Sequence, residues 1–191
     1  MLDGITFTQA SNGLAKCLTA ERGTPTAQLG KARDYRIILA AKSGGSSAPS
    51  DSFHVVGVRE HPAGMRVVCD IEDGKAAGIS TGTSDTDPAD AGPVVPDANA
   101  GRLFQQPASR TGNWQLPFRW GLFGTVDPSV AEVTVSYGNA TRQAKLDHGW
   151  FVASGMLRQQ VTAAPHIKGY DSAGELLYDS NQDKYWPRTL P

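Results

Sequence analysis

The only stretch of this chain with the outline of a catalytic motif is Gly78-Ile79-Ser80-Thr81-Gly82, which fits the pattern G-x-S-x-G. In that motif a strand-to-helix turn lifts a serine oxygen above a sheet, and helical N–H groups support the oxyanion. Thr83-Ser84-Asp85-Thr86-Asp87-Pro88 follows here, which is the chemistry of a loop and not of a helix. Asp147 and His148 could be recruited to complete a triad, but adjacent residues at a strand end project to opposite faces. Ser80 therefore reads as part of a polar turn, a secreted serine hydrolase is the alternative reading, and no catalytic residue is assigned.

Other reactive side chains are equally dispersed. Asp85, Asp87 and Asp90 could offer hard oxygen ligands, but the spacing lacks the glycine at position six and the acidic residue at position twelve of a calcium loop. His54, His61, His148 and His166 form no i, i+4 pair and have no Cys-x-x-Cys beside them, so no metal and no cofactor is expected. Asn139-Ala140-Thr141 matches a glycosylation acceptor, yet Asn139 already has a role as a turn residue with positive φ. Trp114, between Asn113 and Gln115, could stack on a sugar or a partner protein, and Arg102 and Arg110 could recognise an anionic group. These three are the candidate contact residues.

The two cysteines carry more weight. Cys17 falls in a short helical pattern and Cys69 in the middle of a strand pattern, each on the side that would face inward. An even count in a chain rich in Gly, Ser, Thr and Pro favours a disulfide and an oxidising compartment. Formal net charge is −1, with 18 basic and 19 acidic side chains. That leaves no concentrated positive field for a phosphate backbone, so nucleic acid is not an expected partner. No apolar window is long enough to span a membrane, and Met-Leu-Asp-Gly lacks the regions of a secretory signal. The reading adopted is an extracytoplasmic segment, secreted or tethered, whose leader or anchor has been removed.

The elements that must position these residues are mostly strands. The 21 glycines and 12 prolines among 191 residues favour turns over long helices. Ser11 as N-cap with Leu14, Cys17 and Leu18 at helical spacing predicts one short helix over 11–20. Strands are predicted over 35–41, 53–60, 65–71 and 76–80, the middle two as a hairpin across His61-Pro62-Ala63-Gly64. Residues 81–114, poor in large apolar side chains, predict a long surface excursion and a candidate contact surface. Beyond it, alternation predicts strands at 116–122, 130–137, 140–146, 150–153, 166–170 and 175–178, with Gly138-Asn139, Asp147-His148-Gly149 and Asp171-Ser172-Ala173-Gly174 as turns. The expected fold is mainly β, an antiparallel β-sandwich or small open barrel with one short N-terminal helix. It forms a single domain over 1–191, or two β lobes (1–80 and 115–191) joined by the excursion.

A helix with one cysteine, a strand with the other, Val133-Thr134-Val135, Gly149-Trp150-Phe151-Val152-Ala153 and Gly169-Tyr170-Asp171-Ser172-Ala173-Gly174-Glu175-Leu176-Leu177-Tyr178 follow one another along the chain. This layout resembles the extracytoplasmic domains of small membrane-anchored, anti-sigma-factor-like or uncharacterised envelope proteins of high-GC Gram-positive bacteria. The resemblance implies a secreted or tethered module without enzyme activity. The expected role is a binding, sensory or interaction domain whose partner is a protein or cell-envelope component, with a structural assembly module as a further alternative.

Overall fold

The computed structural model describes residues 1–20, 29–42, 52–59, 65–83, 92–105 and 116–190. The protein is mainly β, with thirteen strands and two helices among the described residues. Their contacts divide into two compact units, one formed by residues up to 83 and the other by residues from 92 onward.

The first unit begins with a helix longer than the apolar pattern suggests. Helix α1 spans Phe7–Ala20, not 11–20. Its start is set by Thr6, not Ser11: Thr6 Oγ1 accepts from the Gln9 amide at 3.2 Å, and Gln9 Oε1 accepts from the Thr6 amide at 2.9 Å. This reciprocal capping box satisfies amides that the helix itself leaves without partners. Ala10, Leu14, Cys17 and Leu18 are the buried stripe.

That stripe lies on a five-stranded sheet in sequential order: β1 (Leu2–Asp3), β2 (Arg36–Lys42), β3 (Phe53–Val58), β4 (Arg66–Glu72) and β5 (Lys75–Gly82). The strands differ by a residue or two from those expected, and β1 adds a parallel pair, Leu2 opposite Ala40. Val55, Val67, Cys69 and Ile71 face α1 and join its core. Val56, Val58 and Val68, on the alternate positions, are also no more than 1% exposed. Burial on both faces explains why these strands read as nearly unbroken apolar runs. Gly13 lets α1 approach closely, because a Cβ there would sit 2.8 Å from the Phe53 ring and 3.1 Å from Ile71.

The second unit contains two four-stranded antiparallel sheets. One is ordered β10 (Lys145–Asp147), β11 (Trp150–Leu157), β7 (Phe118–Val126), β6 (Val94–Pro96); the other is β13 (Leu176–Asp179), β12 (His166–Tyr170), β8 (Glu132–Tyr137), β9 (Ala140–Gln143). Trp120 of β7 and Tyr137 of β8 meet edge to face, centroids 5.6 Å apart, which joins the sheets into a sandwich-like core. Gly155 makes room for this, since a Cβ there would lie 2.7 Å from the Trp120 indole.

Two expectations for this half need correction. The predicted strand over 140–146 is broken at Ala144, whose amide bonds the Val133 carbonyl, so that β9 belongs to one sheet and β10 to the other. A simple meander therefore becomes two layers. The excursion over 81–114 is also not all surface: β6 pairs with β7, and α2 (Gly101–Phe104) buries Leu103 and Phe104. The Tyr137 hydroxyl donates to the Phe104 carbonyl at 2.7 Å. Val94, Leu103 and Phe104 are large enough to anchor this stretch even though polar residues surround them in sequence.

Candidate functional site

Cys17 from α1 and Cys69 from β4 form a disulfide, with Cα atoms 6.2 Å apart. The inward-facing positions on helix and strand bring them together as the side-chain periodicities require. Both cysteines are at most 1% exposed. The crosslink fastens α1 across the sheet.

Beside the disulfide, α1 and the sheet border a half-open cavity of about 340 Å³, toward the small end of the range occupied by ligand pockets. Gln9, Asn12 and Lys16 contribute from the helix. Their spacing places them on one stripe that flanks the buried one. Opposite them, Lys42, Phe53 and Ile71 form a row across β2, β3 and β4, being successive register partners. Ile5 and Ser52 complete the parts of the lining that matter chemically. Lys16 Nζ donates to the Gly74 carbonyl at 2.6 Å. The arrangement is an apolar floor beside two ammonium groups and two side-chain amides, suited to holding a small molecule.

The residues singled out in the sequence are not gathered there. Ser80 lies within β5 opposite Val68, so it occupies a strand and not a strand-to-helix elbow, nor the polar turn expected. His54 Nδ1 and Asp70 Oδ1 are 2.7 Å apart and are register partners on β3 and β4. This leaves the carboxylate on the strand between His54 and Ser80, whereas a serine triad needs the histidine in the middle. Asp147 and His148 do not diverge as expected. His148 leaves the strand with φ 47° and its Nδ1 lies 2.5 Å from Asp147 Oδ1. The positive φ at the Gly138-Asn139 turn belongs to Gly138 alone, not to Asn139. Arg102 is exposed on α2. Arg110, Trp114, His61, Asp85, Asp87 and Asp90 lie outside the described residues.

No family model, curated protein or solved structure matches this chain.

Among the described residues no group of three or more His, Cys, Asp or Glu side chains is placed to hold a metal ion. No helix there is long and apolar enough to cross a membrane. The second unit carries a polar cluster at β12 and β13: His166 Nε2 lies 2.7 Å from Asp179 Oδ1, and the Tyr178 hydroxyl donates to Asp183 at 2.7 Å. Partial burial works to raise the Asp179 pKa. Hydrogen bonds from His166 and the Asn181 amide, with the charges of His166 and Lys168, more than offset it and hold the carboxyl below its ordinary value. Tyr178 is driven well above the usual phenol range, first by burial and then by Asp183.

The cavity was within reach of a sequence reading at one point only. Thr6-Phe7-Thr8-Gln9 is a capping-box spacing. Starting the helix there puts Gln9, Asn12, Gly13 and Lys16 on a single polar face. Nothing local to Lys42 or Ser52 marks them, because the antiparallel pairing of β2 and β3 is what brings them to the same helix.

Proposed function

We propose that this chain is a non-catalytic binding or sensory module acting outside the cytoplasm, as part of a bacterial envelope protein, with the cavity under α1 as its ligand site. The observation that carries the reading is the Cys17–Cys69 disulfide, which fastens to the sheet the same helix that supplies Gln9, Asn12 and Lys16 to the cavity. Disulfides persist in oxidising compartments, and a binding site gains affinity when its walls are held in place before the ligand arrives. The resemblance to extracytoplasmic domains of anti-sigma-factor-like envelope proteins supports the same reading. The strand position of Ser80 and the order His54, Asp70, Ser80 across the sheet argue against the hydrolase alternative.

Alkylating the native host with a membrane-permeant thiol reagent, followed by fractionation and mass analysis, tests the proposal. The chain is expected outside the cytoplasm with both cysteines unalkylated. A cytosolic pool carrying two alkylated cysteines overturns it, as does ester hydrolysis that Ser80→Ala abolishes.

A further inference from the structure

The cavity under α1 gathers positive charge from exposed side chains. Lys16 gives one hydrogen bond to Gly74 and keeps two donors. The side chain of Lys42, the register partner of Phe53, makes no hydrogen bond or ion pair among the described residues. Gln9 Oε1 is occupied by the Thr6 amide and hydroxyl, each at 2.9 Å, so its NH2 is the end left for another partner. None of the described lining residues is acidic; Asp3, Glu72 and Asp73 adjoin the lining segments in sequence without lining the cavity, and Asp51, before Ser52, lies outside the described residues. The floor, by contrast, is Ile5, Phe53 and Ile71.

We propose that this cavity binds a small organic carboxylate with an aromatic or short aliphatic body. Its carboxylate is held by Lys16 and Lys42, and its body rests on Ile5, Phe53 and Ile71. A neutral hydrophobe would gain nothing from the two ammonium groups, and a bare inorganic anion would gain nothing from the floor. Charge-assisted hydrogen bonds to a carboxylate are about twice as strong as neutral ones, so the head group dominates discrimination. The inference rests on reading the chain as a binding module and adds the ligand class.

Titration of the nitrogen-15-labelled chain, disulfide intact, with phenylacetate, and in parallel with phenylacetamide and inorganic phosphate, tests the ligand class by amide chemical shifts. Saturable shifts are expected at Gly4, Gly13, Phe53 and Gly74 with phenylacetate. Both comparison compounds are expected to bind at least about tenfold more weakly. Lys16→Met and Lys42→Met should each weaken phenylacetate about fivefold or more. Both should do so with the unfolding midpoint little changed, because both side chains are exposed. The proposal is overturned if these amides do not move at about 10 mM phenylacetate, if the amide binds as well as the acid, or if neither substitution weakens binding. Thiol state and location are measured separately, so an exported, disulfide-bonded chain that ignores phenylacetate loses the ligand class and keeps the module reading.

Discussion

Replacing Cys17 and Cys69 together with alanine removes a crosslink that closes a sequence separation of 52 residues, running from α1 through β2 and β3 into β4. In the chain-entropy model a loop of that length constrains the unfolded state by about 4 kcal/mol at 25 °C. Both side chains are buried, so the small void left by two lost sulfurs adds on the order of 1 kcal/mol. A compact unit of this size is stable by only about 5–10 kcal/mol, so roughly half of its stability is at stake. Trp120, Trp150 and Trp186 lie in the second unit and Trp114 lies beyond residue 83, so no indole reports on the first unit. Hydrogen exchange resolved by peptide is the suitable assay. Where the slowest amides exchange by global opening of the unit, 4–5 kcal/mol corresponds to about a thousandfold or more in rate. The slowest amides of α1 and β4 should therefore lose protection by about that factor. A loss below about tenfold, 1.4 kcal/mol, would refute the reasoning, since the crosslink would then not limit the unfolded chain in the way its span requires.

Two further outcomes follow from the second unit. A Cβ on Gly124 would lie 2.3 Å from the Val95 carbonyl oxygen and 2.5 Å from the Phe151 ring. Backbone on one side and a buried ring on the other cannot both retreat, so Gly124→Ala should destabilise by about 3 kcal/mol in urea unfolding followed by tryptophan fluorescence, and a change under about 1 kcal/mol would contradict the β6–β7 pairing described. Asp179 has a lowered pKa in the folded protein. Its contribution is therefore fully present above the unfolded value near pH 4 and is lost as pH falls through the lower folded value. Asp179→Ala should cost about 1–3 kcal/mol at pH 7, and the gap to the wild-type chain should close on acidification below about pH 4, where a constant gap would exclude the His166 pairing as its source.

Much of the architecture was legible because it depends on neighbours in sequence. The alternation at 132–137 yields β8 with Val133, Val135 and Tyr137 buried, and Gly138 supplies the turn into β9. Cys17 and Cys69 could be matched because each sits on the apolar side of its own element, and sidedness follows from a fixed period of 3.6 or 2 residues. Even the start of α1 is encoded by Thr6 and Gln9, although Leu14, Cys17 and Leu18 at helical spacing behind Ser11 point to a start at Ser11. Ala144 carries no local signal that a strand will change sheets there, and nothing in Val94-Val95-Pro96 specifies pairing with β7. Lys42 and Ser52 line one cavity only because β2 pairs with β3 and α1, earlier in the chain, packs across them. Turn geometry and sidedness are short-range properties of the backbone, whereas sheet membership and the shape of a cavity are settled by which distant apolar surfaces bury one another at the lowest total free energy.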